Sequence, residues 1–164
     1  MTGRIVLGPN QYGKAECRLV RITRDTARHE IEDLNVTTQL RGDFAACHTE
    51  GDNSQVVATD TQKNTVYAFA REHGIGSPED LLLRLTTHFV DGVEWVSGST
   101  LSAEQFAWER INDHDHSFVR SGRETRTTVV TRDGDETTVV SGLKDCTVLK
   151  STGSEFHGFP RDRY

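Results

Sequence analysis

The sequence is poor in the residues that staple, break or span. Its 164 residues include three cysteines, three prolines, one methionine and two tryptophans. Cys17, Cys47 and Cys146 are widely spaced, and none sits in a CxxC pair. A sparse, odd count fits a reducing cytoplasm and argues against a disulfide scaffold. Each thiol reads as a small, packed apolar residue. Positive charge is also in deficit: 19 Lys and Arg face 25 Asp and Glu, a net charge of -6. That leaves no basic footprint for nucleic acid. Nor is there a lysine-rich amphipathic stretch for a membrane surface. Apolar runs last only a few residues, far short of the ~20 that a spanning helix needs. Met1-Thr2-Gly3-Arg4 leads into Ile5-Val6-Leu7-Gly8 without a signal-peptide core. No repeat, low-complexity tract or proline-rich linker interrupts the chain.

Apolar residues make up 34% of the sequence, below the usual range for a globular domain. The length fits one domain or two very small ones. A core can form, and the remaining apolar surface is expected to pack against a partner chain.

Residue periodicity predicts two strands, two helices and then long strands. From about Lys14 to Arg24, Ala15, Cys17 and Leu19 alternate with polar residues, after which Val20 and Ile22 take over the apolar phase. That phase switch predicts a bulge near residues 19 and 20. After a turn at Asp25-Thr26, Leu34, Val36, Thr38 and Leu40 face one way, and Asn35, Thr37, Gln39 and Arg41 the other. This is the pattern of a half-buried antiparallel hairpin. Residues 42–54 read as a loop, and Gln55 to Ala58 as a short extended run. Asp60 or Thr61 is the expected cap of a helix carrying Val66, Phe69, Ala70 and His73 at helical spacing and stopped by Gly74. Ser77-Pro78-Glu79-Asp80 opens a second helix with a capping-box pattern. Leu81, Leu82, Leu85 and Phe89 form its apolar stripe, and Gly92 ends it. Val93 to Val96, then about Leu101 to Val119, read as a long alternating stretch with Phe106 and Trp108 on one face. Arg123 to Arg132 and Thr137 to Leu149 form a hairpin around Asp133-Gly134-Asp135. The order β-β-α-α-β-β predicts an α+β domain, with the helix pair on one face of an antiparallel sheet.

Four stretches carry candidate chemistry. Lys14, in Gln11-Tyr12-Gly13-Lys14, is either a solvated strand-end charge or a partly desolvated amine that acts as a base at an interface. The run Val56 to Thr65 is a strand passing into a capped helix. Its free N–H groups favour an anion such as a purine or carboxylate. His114 and His116, two apart in Asn112-Asp113-His114-Asp115-His116, would share a strand face and could supply part of a zinc or iron site. A polar strand edge or turn is the plainer reading, since no third ligand stands out. Phe156 and Phe159, in the run Leu149 to Asp162, serve either as a loop anchor or as a stacking platform for a flat ligand.

Taken together, these stretches resemble the urate oxidase (uricase) family. Tyr12-Gly13-Lys14, Val56 to Tyr67 and Leu149 to Tyr164 are similar to its signature segments. Val57-Ala58-Thr59-Asp60-Thr61-Gln62-Lys63-Asn64-Thr65 and Val148-Leu149-Lys150-Ser151-Thr152 are the most specific. His29-Glu30-Ile31, Asp33-Leu34-Asn35-Val36 and Gln39-Leu40-Arg41-Gly42-Asp43-Phe44 resemble the bacterial branch. The resemblance implies the tunnelling fold (T-fold), assembled as homotetramers with active sites at subunit interfaces. It implies that Lys14 is the catalytic lysine, paired across the interface with Thr59 to relay a proton from urate. It places the backbone N–H groups of Thr59 and Asp60 on the purine's anionic edge, and the Phe156 ring on its plane. Molecular oxygen is the co-substrate, neither metal nor flavin is used, and the products are 5-hydroxyisourate and hydrogen peroxide. His114 and His116 are then structural.

Family chains are about twice as long and carry two T-fold domains. The resemblance therefore assigns residues 1–150 to the first domain and residues 151–164 to the connection toward a second. It implies that Tyr164 is not a natural stop and that a C-terminal half comes from the same or another chain. The arginine and glutamine that clamp the purine, the asparagine near the oxygen site and the histidine that completes the relay lie in that half. The alternative is a non-catalytic T-fold module for purine or pterin binding or for assembly.

Overall fold

Strict alternation over Leu34, Val36, Thr38 and Leu40 requires one buried sheet face, and the structure supplies it. The computed structural model describes residues 5–163. Residues 1–4, read above as lacking a signal-peptide core, and Tyr164, read as an unnatural stop, lie outside the described residues. Strands β1 (Tyr12–Thr23) and β2 (Glu30–Gly42) form the first hairpin. A short helix α1 (Ala45–Thr49) follows, and then helices α2 (Thr59–His73) and α3 (Pro78–Gly92). Strand β3 (Val96–Gln105) returns to the sheet. A side hairpin, β4 (Trp108–Arg110) and β5 (Phe118–Arg120), precedes β6 (Thr125–Asp133) and β7 (Glu136–Lys144). The main sheet is antiparallel throughout, in the order β1-β2-β3-β6-β7.

Both long helices lie on one face, α2 over β1 and α3 over β3 and β6. Leu34, Val36, Leu40, Leu101, Val66, Leu81, Leu82, Leu85 and Phe89 close the core between them. Truncating one of these leucines to alanine is worth about 2–5 kcal/mol. Helix α3 begins as its sequence dictates. The Ser77 hydroxyl accepts from the Asp80 N–H at 3.0 Å, and the Asp80 carboxylate accepts from the Ser77 N–H at 3.2 Å. Gly74, at φ 71, stops α2, a conformation that suits glycine.

Several boundaries differ from the periodicity reading, each for a physical reason. The bulge in β1 lies between Lys14 and Cys17, not at residues 19 and 20, so Val20 and Ile22 remain on the exposed side. Residues 42–54 contain α1, which packs beside buried Phe44 and is too short to show an apolar period. Gln55 to Ala58 is not a strand. Asn53 accepts from the Val56 N–H in a turn, and Ala58, which offers no side-chain cap, is the N-cap of α2. Asp60 and Thr61 lie inside the helix instead of capping it. The long stretch to Val119 breaks after Gln105, where the Phe106 N–H turns back to the Asp33 carbonyl. The Asp33 carboxylate, fully buried, then binds Arg18 at 2.6 Å and the Trp108 indole N–H at 2.9 Å, while Arg18 and Arg120 lie against the Phe106 ring. Strand β7 starts at Glu136 and stops at Lys144, before the anticipated Leu149.

Glu79, in the first turn of α3, ties the helix to β6 and β7. Its carboxylate accepts two bonds from Arg126 at 2.9 Å and one from the Thr128 hydroxyl at 2.9 Å, and it also binds the Ser141 hydroxyl. Burial pushes this carboxyl up, but Ser141, the helix-start backbone, Thr128 and Arg126 outweigh it and hold it at about 2 against an ordinary 4.5. A depressed folded-state value means that the stabilisation is complete above pH 4.5 and is lost as the pH falls toward 2. Glu79→Ala is therefore expected to lower stability at neutral pH by about 1–3 kcal/mol. In urea titrations, its deficit should shrink as the pH falls from 4.5 toward 2.

Candidate active site at the start of β1 and α2

The site grows from a bulge. Lys14 pairs with Thr38, and the next register pair is Cys17 with Val36, so one extra residue is taken up at Ala15-Glu16, with Glu16 at φ 54. Strand side chains alternate faces. Counting back from buried Cys17 without a bulge would put Lys14 on the open face of the sheet. The extra residue turns it to the helix face, opposite buried Thr38. There the Lys14 ammonium reaches the first turn of α2, with Nζ 3.4 Å from Asp60 Oδ1. Gly13 makes this approach possible, because a Cβ at that position would overlap the Thr38 carbonyl.

The helix start is held by buried polar contacts. The Tyr12 hydroxyl donates to the Val57 carbonyl at 3.0 Å, and the Tyr12 ring meets Phe44 edge-on at 4.7 Å. Gln62, fully buried, donates to the same Val57 carbonyl at 3.1 Å and accepts from the Thr38 hydroxyl at 2.7 Å. That hydroxyl in turn accepts from the Lys14 N–H at 3.2 Å. The first intrahelical bond runs from the Gln62 N–H to the Ala58 carbonyl. The N–H groups of Thr59, Asp60 and Thr61 therefore precede the ladder and point out of the helix end.

Lysines flank the helix start. Lys63 Nζ lies 3.1 Å from Asp60 Oδ1, and Lys14 approaches the same oxygen. The Asp60 carboxyl is held below its usual range, first by the Lys63 hydrogen bond and charge and then by Lys14. Beneath them the buried Cys17 thiol is pushed up by desolvation, against the pull of both lysines.

The structure thus brings together Lys14, Thr59 and Asp60 at one end of the sheet. Within this chain the side chain that meets Lys14 is Asp60. Phe156 lies on the exposed C-terminal segment, 77% exposed, with its ring stacked on Phe159 at 5.1 Å. His114 and His116 sit in a turn, not on a strand. Their rings are 4.4 Å apart, and His116 also lies 5.7 Å from His29. Among the described residues, no group of three or more His, Cys, Asp or Glu side chains is placed to hold a metal ion. No helix among them is long and apolar enough to cross a membrane. Sequence reasoning missed Gln62, Thr38 and Lys63. A glutamine four places into a helix carries no local signal; its only mark is that it falls on the apolar side of α2, one turn before Val66.

An antiparallel sheet with a helix pair on one face, built from β-β-α-α-β-β, is the architecture of the T-fold. A uricase family model matches residues 10–131. The chain is 65% identical over 161 residues to the uricase of Arthrobacter globiformis, covering 98% of this chain and 53% of that protein. It is 41% identical over 155 residues to the uricase of Schizosaccharomyces pombe, covering 90% and 52%. The crystal structure of the Arthrobacter globiformis uricase superposes with a TM-score of 0.88 at 64% identity, over 98% of this chain and 56% of that one. A uricase from Bacillus fastidious gives 0.72 at 27% identity, over 97% and 58%. The chain belongs to the uricase family, with the T-fold that this implies, and it spans about half the length of the curated relatives it matches.

Because Gly13 has no room for a side chain, Gly13→Ala is expected to force β1 away from β2 at Thr38. The cost is about 1–3 kcal/mol, read as a lower urea midpoint at unchanged slope.

Proposed function

We propose that this chain is the N-terminal portion of a urate oxidase and acts together with a C-terminal half. That enzyme oxidises urate with molecular oxygen and water to 5-hydroxyisourate and hydrogen peroxide. The observation that carries the reading is the placement of Lys14 beside the free helix start at Thr59 and Asp60, in a chain of the uricase family. Residues 1–150 would make up the first T-fold domain and residues 151–164 lead toward the second.

In this mechanism urate lies as an anion against the N–H groups of Thr59 and Asp60, where a helix N-terminus favours negative charge. Phe156 stacks on the purine plane. Lys14 acts as general base through the Thr59 hydroxyl, at an edge that a partner subunit closes in a homotetramer. The half-exposed Lys14 and exposed Asp60, 37% and 70%, leave this edge accessible to such a neighbour. The electron-rich urate dianion reduces oxygen itself, so no metal or flavin is needed. The purine-clamping and oxygen-handling groups come from the C-terminal half.

A non-catalytic purine- or pterin-binding or assembly module is the second reading. Loss of urate absorbance, followed with and without a complementing C-terminal half, separates the two. We expect turnover only with both halves present, and Lys14→Ala to lower it by about 10²–10⁴-fold. Full activity in Lys14→Ala would remove the lysine from the mechanism. Tight binding of 8-azaxanthine without turnover, even after complementation, would establish the second reading.

A further inference from the structure

We propose that Gln62 is a positioning residue for the urate chemistry, setting the distance between Lys14 and the first turn of α2. The inference rests on reading that cluster as the urate site. Gln62 touches no solvent and has both ends of its amide engaged. One end accepts from Thr38 at 2.7 Å, the other donates to Val57 at 3.1 Å. Thr38 passes the link on to the Lys14 backbone N–H at 3.2 Å. Val57 lies two residues before Thr59, so the Gln62 side chain ties the segment that sets the helix start to Thr38 on β2, which in turn holds the β1 backbone at the lysine.

This arrangement is more than a filled core. A buried primary amide costs stability unless both its donor and its acceptor are satisfied. An apolar side chain of similar volume would fill the same space without that demand, as Leu81 and Leu82 do elsewhere in the core. What the amide adds is a fixed separation. Thr38 has one hydroxyl hydrogen, and the shorter bond, to Gln62, takes it, leaving its oxygen to accept from Lys14. Reversing the amide would set its NH2 group against Thr38 and its oxygen against the Val57 carbonyl, so one orientation is enforced. Proton transfer is sensitive to heavy-atom distance, and a misplacement of about 1 Å can cost on the order of 10²-fold.

The test uses Gln62→Met, which keeps the volume and removes both hydrogen bonds, in the full two-half protein. Thr38→Val cuts the same chain at its other link and carries the test if Gln62→Met does not fold. Active sites are counted by 8-azaxanthine titration, and kcat is expressed per site. We expect kcat per site to fall about tenfold, KM to move less than kcat, and the pH midpoint of kcat to shift. Gln62→Glu should recover relative to the unsubstituted protein as the pH is lowered, because only its protonated carboxyl can donate to the Val57 carbonyl. A merely structural role would reduce the number of sites while leaving kcat per site and its pH profile unchanged, and that result overturns the proposal. Absence of urate turnover in the unsubstituted two-half protein would instead overturn the urate reading on which it rests.

Discussion

The seam between the start of β1 and the start of α2 is the constraint on which the rest of the site depends. Tyr12 and Val57 are 45 residues apart in the chain and share a 3.0 Å hydrogen bond. Gln62 and Thr38 seal the junction from inside. Buried polar groups tolerate little departure from good geometry, because a broken bond leaves a desolvated donor or acceptor behind. Strand and helix end are therefore held to hydrogen-bond tolerance. The bulge at Ala15-Glu16 is the complementary device. It reverses the facing of Lys14 with one extra residue, without disturbing the alternation of Cys17 and Leu19 against the core.

The two faces of the sheet solve different problems. The helix face holds the leucines of α3 and the alternating apolar set of β2. The opposite face is largely threonine, asparagine, glutamine and arginine, with Val20, Ile22 and Val140 exposed on it. Strand β7 is exposed along its whole length and leaves one edge of the sheet unpaired among the described residues. Open edges and exposed valines are surfaces that proteins ordinarily cover. Such a face agrees with a chain whose apolar fraction is low and whose matched relatives are about twice as long.

Much of this was legible from residue order, and the misses have a common physical form. Helix α3 announced itself, because its cap, proline, stripe and terminal glycine are all local. The hairpin turn at Gly134-Asp135 and the facing of β2 were equally local. The phase switch signals a bulge in β1 but not its place, since Val20 and Ile22 look like core residues and only their exposure shows otherwise. The break after Gln105 depends on Asp33, a carboxylate whose partners Arg18 and Trp108 lie 15 and 75 residues away. Thr59 and Asp60 come from the family resemblance, whereas the N-cap falls at Ala58, ahead of the expected Asp60 or Thr61, next to a Val57 carbonyl held by Tyr12 and Gln62. Gln62 was invisible because nothing adjacent in sequence requires it.

Charge near the helix start runs against that of the whole molecule. The chain carries a net charge of -6, yet around Asp60 two lysines face one carboxylate. The Asp60 side chain is engaged by those ammonium groups, which leaves its backbone N–H uncommitted. The helix end adds roughly half a positive charge in the same place. Charges separated by more than about 10 Å are largely screened at ordinary ionic strength, so the local excess, not the overall negative balance, sets the potential at the helix start. On the proposed reading, a flat anion would meet this local excess at a corner of an acidic protein, within reach of the one lysine that the bulge has turned to face it.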